Sequence, residues 1–393
     1  MAVLRGRQFF QNPGPTNIPD RVLRAMGRAP LDFVQKDFRA IVEECLEGLR
    51  YVFRTEQTIV VYNASGHGAW EAALVNILSP GDRVLVLESG YFSLNWGAMA
   101  QAHGIEVEVL PSDWRAGVDP AAVEARLAED RARDIKAVML VHNETSTGVA
   151  NRAAEIRRAI DKAGHPALFL VDTISSLGSF DFRMDEWQVD VAVGGSQKGL
   201  MLPPGMAFTG VSAKALRATQ SARCARSYWD WRQMLTDGRQ TSFSGTAGVH
   251  LFYGLQESLR MIREEGLEAI FARHHRLAEA TRRAVRVWSE GGGPEIYPTD
   301  KRVESDSLTA VLMPEGHDAE AVRRIALERF NVSLGGGLGK LGGRVFRIGH
   351  MGDLNEPMIL GALGVVEMAL GLAGVPHGRG GVQAAMARLA EAA

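Results

Sequence analysis

A single lysine, Lys198, lies within the stretch "GGSQKGLMLPPG" (194–205), which contains no other charged residue. Small residues precede this lysine, and an apolar run with two prolines follows it. A lysine in a water-poor crevice has a lowered amine pKa and can form a Schiff base with a carbonyl compound. The alternative is a surface lysine whose stem packs on apolar residues. The apolar sequence after Lys198 favours the reactive amine.

Two other charged side chains could share a site with this lysine. Asp172 ends the apolar segment "ALFLVD", and a buried carboxylate costs free energy unless it is paired. Asp172 is therefore either a turn residue or the partner of a cation such as a protonated pyridine nitrogen. Arg347, in "RVFRIGHM" (344–351), could bind a carboxylate through two parallel hydrogen bonds or form a structural salt bridge.

A Ser-Gly-His turn, residues 65–67, separates a strand-like segment from a helical one in "NASGHGAWEAAL". The N-terminus of a helix offers free N–H groups and a partial positive charge, which suit a phosphate. Glycine lets the backbone approach the anion, and Ser65 can donate its hydroxyl. The alternative is an ordinary strand–helix turn in which Ser65 is the N-cap.

These side chains need a scaffold, and the pattern of apolar segments predicts one. Short strands alternating with helices predict an α/β fold whose mainly parallel sheet is covered on both faces. In such sheets ligands bind beyond the carboxyl ends of the strands. The Ser-Gly-His turn, "HNETSTG" (142–148), Asp172 and Lys198 each follow a predicted strand. The seven predicted strands are 58–64, 83–89, 106–110, 137–143, 167–173, 190–195 and 206–212.

The pattern changes after about residue 250, which predicts a second, smaller domain. A long helical stretch at 250–288 comes first, and sparser strands at 307–314 and 344–351 follow. We predict an N-terminal segment, a large domain and a small α+β domain that pack rigidly because no flexible linker separates them. Their predicted bounds are 1–20, 21–255 and 256–393.

Composition narrows the range of partners. Lysine plus arginine (44) nearly balances aspartate plus glutamate (46), so nucleic acid and anionic membranes are not expected partners. The two cysteines, Cys45 and Cys224, form no Cys-x-x-Cys pair, so we expect neither a metal site nor a disulfide framework. The N-terminus has no long apolar core, and the apolar stretch 360–375 carries Glu367. We therefore predict no secretion signal and no membrane span, and we expect a soluble cytoplasmic protein.

Six segments together resemble the class V aminotransferases of the pyridoxal-phosphate fold-type I superfamily, most closely the serine–glyoxylate and alanine–glyoxylate branch. The resemblance covers nearly the whole chain. It implies the fold-type I architecture, pyridoxal 5′-phosphate as cofactor, and ping-pong transfer of an amino group from a small L-amino acid to glyoxylate. The segments are "NPGPTNIP", "ASGHGAWEAALVNILSPGDRVLV", "HNETSTGV", "FLVDTISSLGS", "GSQKGLMLPPG" and "GGGLGKLGGRVFRIGHMG".

The resemblance also implies a role for individual residues. Lys198 would hold the cofactor as a Schiff base and carry the proton, and Asp172 would bind the pyridine nitrogen. Arg347 would bind the substrate α-carboxylate, and Gly14, in the N-terminal segment, would line the substrate pocket. The other contacts to the cofactor would be Ser65, Gly66, His67, Thr145, Ile174, Gln197 and Phe92, the last in place of the tryptophan that many relatives carry.

In this family an aromatic-x-x-Thr segment of the partner subunit reaches the phosphate, which implies a homodimer with shared active sites. Here that segment offers Phe243 and Thr246, although alanine–glyoxylate enzymes carry tyrosine at the first position and proline after the threonine. Relatives that act on serine carry a His-Arg pair in an early loop where this chain reads "LDFVQKDF". Serine, aspartate and alanine therefore all stay open as amino donors.

Two other functions are open at this point. A class V lyase or desulfurase would need a cysteine on a mobile loop, whereas Cys45 and Cys224 both lie in helix-like sequence. A non-catalytic α/β module could instead bind a nucleotide through the turn at 65–67. His274 and His275 lie in the long helical stretch without a metal-spaced partner, and we expect both to be solvated.

Overall fold

A computed structural model of the chain describes residues 6–391. The start of the predicted N-terminal segment (1–5) and the last two residues of the predicted small domain (392–393) lie outside the described part. The strands are β1 (Phe9–Gln11), β2 (Thr58–Tyr62), β3 (Arg83–Leu87), β4 (Glu106–Leu110), β5 (Ile135–Val141), β6 (Asn143–Glu144), β7 (Val149–Ala150), β8 (Leu168–Asp172), β9 (Val191–Gly195), β10 (Ala207–Val211), β11 (Leu235–Thr236), β12 (Arg239–Gln240), β13 (Glu295–Ile296), β14 (Leu308–Leu312), β15 (Val332–Gly336) and β16 (Val345–Gly349).

Helices connect most of these strands. The α-helices are α1 (Asp20–Met26), α2 (Lys36–Phe53), α3 (Gly66–Ile77), α4 (Tyr91–Ala102), α5 (Pro120–Glu129), α6 (Ala153–Lys162), α7 (Ala213–Ala218), α8 (Trp231–Met234), α9 (Val249–Glu265), α10 (Leu267–Trp288), α11 (Ala319–Phe330), α12 (Glu356–Leu372) and α13 (Gly381–Ala390). Two short 3₁₀ helices span Lys301–Val303 and Gly339–Leu341.

The larger sheet has seven strands in the order β2-β10-β9-β8-β5-β3-β4. Neighbouring strands from β9 to β4 are parallel, and β10 is antiparallel to both β2 and β9. Each of the seven strands predicted from the sequence overlaps one strand of this sheet. The predicted α/β fold with a mainly parallel sheet is therefore confirmed.

Strand β8 shows why these segments read as continuous apolar runs. Phe169 and Val171 pack into a core with α2 and α9, whereas Leu168 and Leu170 pack into a second core with α3 and α4 on the opposite face. Because both faces of the sheet are covered, the alternation of polar and apolar residues disappears. Asp172 is the one polar residue of this strand, and it occupies the last position.

The smaller sheet has five strands in the order β1-β15-β16-β14-β13. Strands β14 and β16 were predicted from the sequence, whereas the other three were not. Strand β1 has only three residues, and it pairs in parallel with β15. This pairing fixes one end of the N-terminal segment on the small sheet, while residues 13–16 cross to the larger sheet.

The predicted long helical stretch is two helices. Gly266, with φ 83° and ψ 142°, ends α9 and starts α10. This conformation is open to glycine and strained for other residues. Helix α9 packs on α1 and α2, and α10 packs on α12 and α13. The predicted boundary at 255/256 falls inside α9, and the bounds of the domains stay a prediction.

The apolar stretch that ends near residue 375 forms α12, and Glu367 on this helix has partners inside the protein. Its carboxylate accepts hydrogen bonds from Trp288 Nε1 at 3.0 Å, Gly380 N at 3.0 Å and Val382 N at 3.1 Å. Across residues 6–391, no helix combines the length and the apolar character that crossing a bilayer requires.

Candidate active site

Lys198 follows β9, and the N-terminal segment packs directly on it. Its Nζ donates a hydrogen bond to Pro13 O at 2.8 Å. Thr16 ties the same segment to the lysine turn, because its N–H donates to Gln197 O at 3.1 Å and its Oγ1 donates to Lys198 O at 3.0 Å. At Gly14, φ is 115° and a Cβ atom would overlap the Lys198 side chain, so glycine is required there.

The Lys198 amine is desolvated and close to two other charges. Its pKa is lowered to about 8, mainly by burial and also by the Arg347 guanidinium, whereas the Asp172 charge opposes the decrease. An amine with this pKa is largely neutral at mildly alkaline pH, whereas an ordinary lysine is protonated. Lys198 can therefore act as a nucleophile or accept a proton.

Asp172, at the carboxyl end of β8, is buried with two hydrogen bonds. Its Oδ2 accepts from Trp70 Nε1 at 3.0 Å, and its Oδ1 accepts from Ile174 N at 2.6 Å. Burial, with a smaller contribution from the Glu144 charge, nevertheless raises the pKa of this carboxyl to about 7, although both hydrogen bonds and the Lys198 charge oppose the increase. The nearby positive charge does not compensate for the desolvation of this carboxylate, so a cationic ligand would bind to it favourably.

The two groups face one cavity of about 200 Å³. Eight of the residues that line it, Lys198 included, were predicted as cofactor contacts, and the structure brings these eight together. They are Gly66, His67, Phe92, Thr145, Asp172, Ile174, Gln197 and Lys198. The remaining lining residues are Trp70, Asn143 and Ser175.

The start of α3 forms one end of the cavity. Ser65 is at the N-cap position, but its hydroxyl makes no capping hydrogen bond, so the alternative of an ordinary N-cap serine is not what the structure shows. The first N–H groups of an α-helix lack partners within the helix. Gly66 packs against Ile174, and a Cβ atom on Gly66 would overlap the Ile174 side chain. Partial desolvation lowers the pKa of His67, whose ring lies 4.5 Å from the Trp70 ring.

Arg347 approaches from the small sheet and is buried. Its Nε donates to Gly336 O at 2.8 Å, and its Nη1 donates to Thr145 O at 2.8 Å. These two contacts fix the guanidinium while leaving Nη2 and the second N–H of Nη1 for a ligand. Burial lowers the pKa of Arg347 to about 10, so the group is still cationic at neutral pH. The alternative of a structural salt bridge is not observed among the described residues.

The structure places Phe243 and Thr246 away from the cavity of their own chain. The Phe243 ring packs edge-on against Phe252 with centroids 5.5 Å apart, and Thr246 is exposed. The carbonyl of Thr246 accepts a hydrogen bond from Asn63 Nδ2 at 2.6 Å. Neither side chain lines the cavity that holds Lys198.

Sequence reasoning missed three polar residues of the cavity wall. Trp70 donates a hydrogen bond to Asp172, and its position one turn after Gly66 on α3 was the available signal. Ser175 Oγ lies 2.7 Å from Thr145 Oγ1 and accepts from Asn143 Nδ2 at 2.8 Å. Asn143 lies in "HNETSTG" (142–148), but nothing in that segment indicates its hydrogen bond to Ser175.

Two other predictions were wrong. His274 is buried, not solvated, because its Nδ1 donates to Ser179 O at 2.7 Å and its Nε2 accepts from Gly352 N at 3.0 Å. His275 is the exposed member of the pair. Cys224 lies in a bend between α7 and α8, not in a helix, whereas Cys45 is on α2 as predicted.

Comparisons with known proteins agree with this geometry. The family described as aminotransferase class-V matches residues 8–338. A serine–glyoxylate aminotransferase of Methylorubrum extorquens is 46% identical, with 93% of this chain and 91% of the relative covered. An L-aspartate–glyoxylate aminotransferase of Paracoccus denitrificans is 43% identical over 93% of this chain and 91% of the relative. The crystal structure of a ureidoglycine–glyoxylate aminotransferase from Bacillus subtilis has a TM-score of 0.86 at 27% identity, covering 99% of each chain.

The lowered pKa of Lys198 gives a direct prediction for the protein without ligand. The neutral amine is the nucleophile, so its reactivity rises with pH through its pKa. We expect acetylation of Lys198 by acetic anhydride, followed by peptide mass spectrometry, to show a midpoint near pH 8 instead of the ordinary 10.5. In Asp172→Asn the midpoint should fall further, because the Asp172 charge raises the pKa of Lys198. A midpoint at or above 10.5 would contradict the burial of this amine.

Proposed function

Because this chain belongs to the class V aminotransferase family, we propose that it transfers the amino group of a small L-amino acid to glyoxylate, giving glycine and a 2-oxo acid. The observation that carries the proposal is that Lys198 and Asp172 line one cavity, while the buried Arg347 guanidinium binds the backbone of a third lining residue, Thr145. An amine, a carboxylate and a guanidinium in that arrangement supply a nucleophile, an electrostatic anchor and a carboxylate receptor. Relatives with glyoxylate in their names support the acceptor.

The cofactor of this family is pyridoxal 5′-phosphate, and the cavity fits it. Two desolvated groups line the cavity: the Asp172 carboxyl, whose charge is not fully compensated, and the Lys198 amine. Gln197 Oε1 is buried without a hydrogen-bond partner among the described residues, and the uncapped start of α3 at Gly66 suits a phosphate. When bound, the cofactor supplies an electron sink for the bonds at the substrate Cα.

The cofactor contacts follow from these positions. Asp172 would hold the ring nitrogen in its protonated form, since a cation beside a buried carboxylate stabilises the charged state of both. Ser65, Gly66, His67 and Gln197 would bind the phosphate end. Phe92 and Ile174 would contact the ring, and Thr145 would hydrogen-bond the ring hydroxyl region.

Lys198 would attach the cofactor and then move a proton. With a pKa of about 8, a substantial fraction of its Nζ is neutral at mildly alkaline pH, so it can accept the proton that leaves the substrate Cα and return it elsewhere. The N-terminal segment covers this amine through Pro13 O and excludes water from it. Gly14 leaves room for the lysine side chain and would line the substrate pocket.

Arg347 would bind the α-carboxylate of both substrates. Its Nε and Nη1 are held by backbone carbonyls, so the guanidinium presents a fixed edge to a carboxylate. The donor would leave as a 2-oxo acid before glyoxylate binds at the same receptor, and two half-reactions through one site imply ping-pong kinetics. The early loop "LDFVQKDF" leaves the donor open between serine, aspartate and alanine.

We propose a homodimer in which each subunit completes the site of the other. Phe243 and Thr246 do not reach their own cavity, and the exposed Phe33 and Val34 share a separate cavity of about 320 Å³ with Phe243. Exposed apolar side chains beside such a segment are typical of an interface. The family pattern assigns Phe243 and Thr246 to the phosphate of the partner subunit. We further propose a cytoplasmic location, as the composition predicts.

A desulfurase is the second candidate within the same fold, and the cysteines disfavour it. Cys45 and Cys224 are both buried, and neither lines the cavity. Burial raises the pKa of both thiols, which keeps them protonated, whereas a sulfur-accepting cysteine needs an accessible thiolate.

The proposed reaction is tested by loading the protein with cofactor and following glycine formation from glyoxylate with serine, aspartate or alanine. We expect glycine from at least one donor. In Arg347→Lys the KM for donor and glyoxylate should rise by roughly 10- to 100-fold, because lysine loses the paired hydrogen bonds worth about 1.5–3 kcal/mol. Affinity for the cofactor should change little.

The control for that substitution is Arg344→Lys, which changes an exposed arginine directly before the same strand. It should leave both KM values at the wild-type level. Unchanged KM values in Arg347→Lys would remove Arg347 from the site, and failure of every donor to yield glycine would refute the reaction.

Shared sites can be tested by mixing inactive variants. We expect Lys198→Ala combined with a Phe243→Ala/Thr246→Ala double variant to regain activity after subunit exchange. One site of each mixed dimer then carries both defects and the other carries none, so about half of the sites recover. Activity is measured alongside mass spectrometry that counts the mixed dimers.

The matched control mixes Lys198→Ala with Asp172→Asn. Both substitutions affect the cavity of the chain that carries them, so every site of a mixed dimer keeps one defect and activity should not return. Mixed dimers of the first pair that stay inactive would show that each subunit completes its own site.

A further inference from the structure

Glu144 is a completely buried carboxylate beside the cavity, and none of the roles above uses it. Its Oε1 accepts hydrogen bonds from Phe92 N at 3.3 Å, Ser146 N at 3.1 Å and Ser146 Oγ at 2.6 Å. Its Oε2 accepts from Ser93 N at 3.1 Å. Burying a carboxylate is costly, so four donors directed at one group indicate that its position matters.

Two of the backbone donors, Phe92 N and Ser93 N, belong to the first turn of α4. The first N–H groups of an α-helix have no partners within the helix, and here side chains from another loop supply them. Ser146 Oγ accepts from Tyr91 N at 3.0 Å, and Glu144 accepts from the next two residues, Phe92 and Ser93. A negative charge at this end also interacts favourably with the helix dipole.

The contact between the Glu144 loop and α4 is close. A Cβ atom at Gly90, directly before the helix, would overlap Glu144 Cγ and Cδ and approach Ser146 Oγ. The loop therefore determines where α4 begins. Phe92 is in that first turn, lines the cavity, and packs edge-on against Trp70 with ring centroids 6.3 Å apart.

We propose that Glu144 is a positioning residue that holds the first turn of α4 so that Phe92 faces the cofactor ring. The inference rests on the proposed function, because it takes the ring contact of Phe92 from there. Glu144 itself touches no reacting atom. It acts on the ring contact through Phe92, whose position depends on the hydrogen bonds from Phe92 N and Ser93 N to the Glu144 carboxylate. Its negative charge separately raises the pKa of Asp172 and of Arg347.

The pKa of Glu144 reflects both its burial and the hydrogen bonds that its carboxylate accepts. Burial raises the pKa of Glu144, and the hydrogen bonds from Ser146, Ser93 and Phe92 oppose that increase. In a Glu144→Gln variant, the new side-chain amide would keep one acceptor oxygen but direct an NH₂ group at N–H donors. Phe92 would then lose the fixed position that the carboxylate provides.

A double-mutant cycle tests the coupling. The dissociation constant of pyridoxal 5′-phosphate is measured for the apo forms of wild type, Glu144→Gln, Phe92→Leu and the double variant by tryptophan fluorescence quenching. We expect each single change to weaken binding by about tenfold, within the range of an aromatic contact. The double variant should also be weaker by about tenfold, because the second change has nothing left to act on.

An additive loss of about a hundredfold in the double variant would overturn the inference. Wild-type affinity in either single variant would overturn it as well. These outcomes are independent of glycine formation by the wild-type enzyme, which is the readout for the proposed function. The visible circular dichroism of the bound cofactor is a second readout and should weaken in both single variants.

Asp130→Asn is the matched control for a buried carboxylate. Asp130 accepts hydrogen bonds from Ile135 N at 2.9 Å and Asp134 N at 3.2 Å, near the start of β5 and so at the opposite edge of the sheet from the site. This variant should lose stability and keep wild-type cofactor affinity. If Glu144→Gln does not fold, Ser146→Ala takes its place in the cycle, since it removes the acceptor for Tyr91 N and the hydroxyl donor to Glu144. Additivity with Phe92→Leu would again overturn the proposal.

Discussion

The charge of Asp172 is the constraint on which the site depends. It ends a strand whose other residues are apolar and buried on both faces of the sheet. Two N–H donors, from Trp70 and Ile174, hold the carboxyl but do not offset its desolvation, so its pKa is raised to about 7. A nearby cation would stabilise the charged form of this carboxylate. Lys198 lines the same cavity, which also has space for a ring nitrogen beside Asp172.

Topology explains why these groups meet although they are distant in sequence. Strands β8 and β9 are parallel neighbours, so Asp172 and Lys198 leave the sheet at the same edge. The small sheet completes the site in two ways. It carries Arg347 on β16, and it binds β1 so that Pro13 and Gly14 cross over the lysine. The N-terminal segment thus connects the two sheets at the point where chemistry is expected.

The sequence predicted much of the fold because the larger sheet is built from short strands that are buried on both faces. The same reasoning failed where structure depends on a partner element. Strand β1 is three residues long and exists through its pairing with β15. The helical period continues across Gly266, where the backbone conformation separates α9 from α10. His274 looked solvated, but backbone groups from two other segments enclose it.

The site follows the same division. The sequence reveals Lys198, Asp172 and the turn at 65–67 because each lies at or just after the carboxyl end of a predicted strand. In contrast, Trp70 and Glu144 act through contacts that no local pattern encodes. The central claim is that Lys198 carries the cofactor. The most direct measurement is borohydride reduction of the cofactor-loaded protein followed by peptide mass spectrometry. We predict one cofactor adduct, on the peptide that contains Lys198. An adduct on another lysine, or none, would contradict this claim.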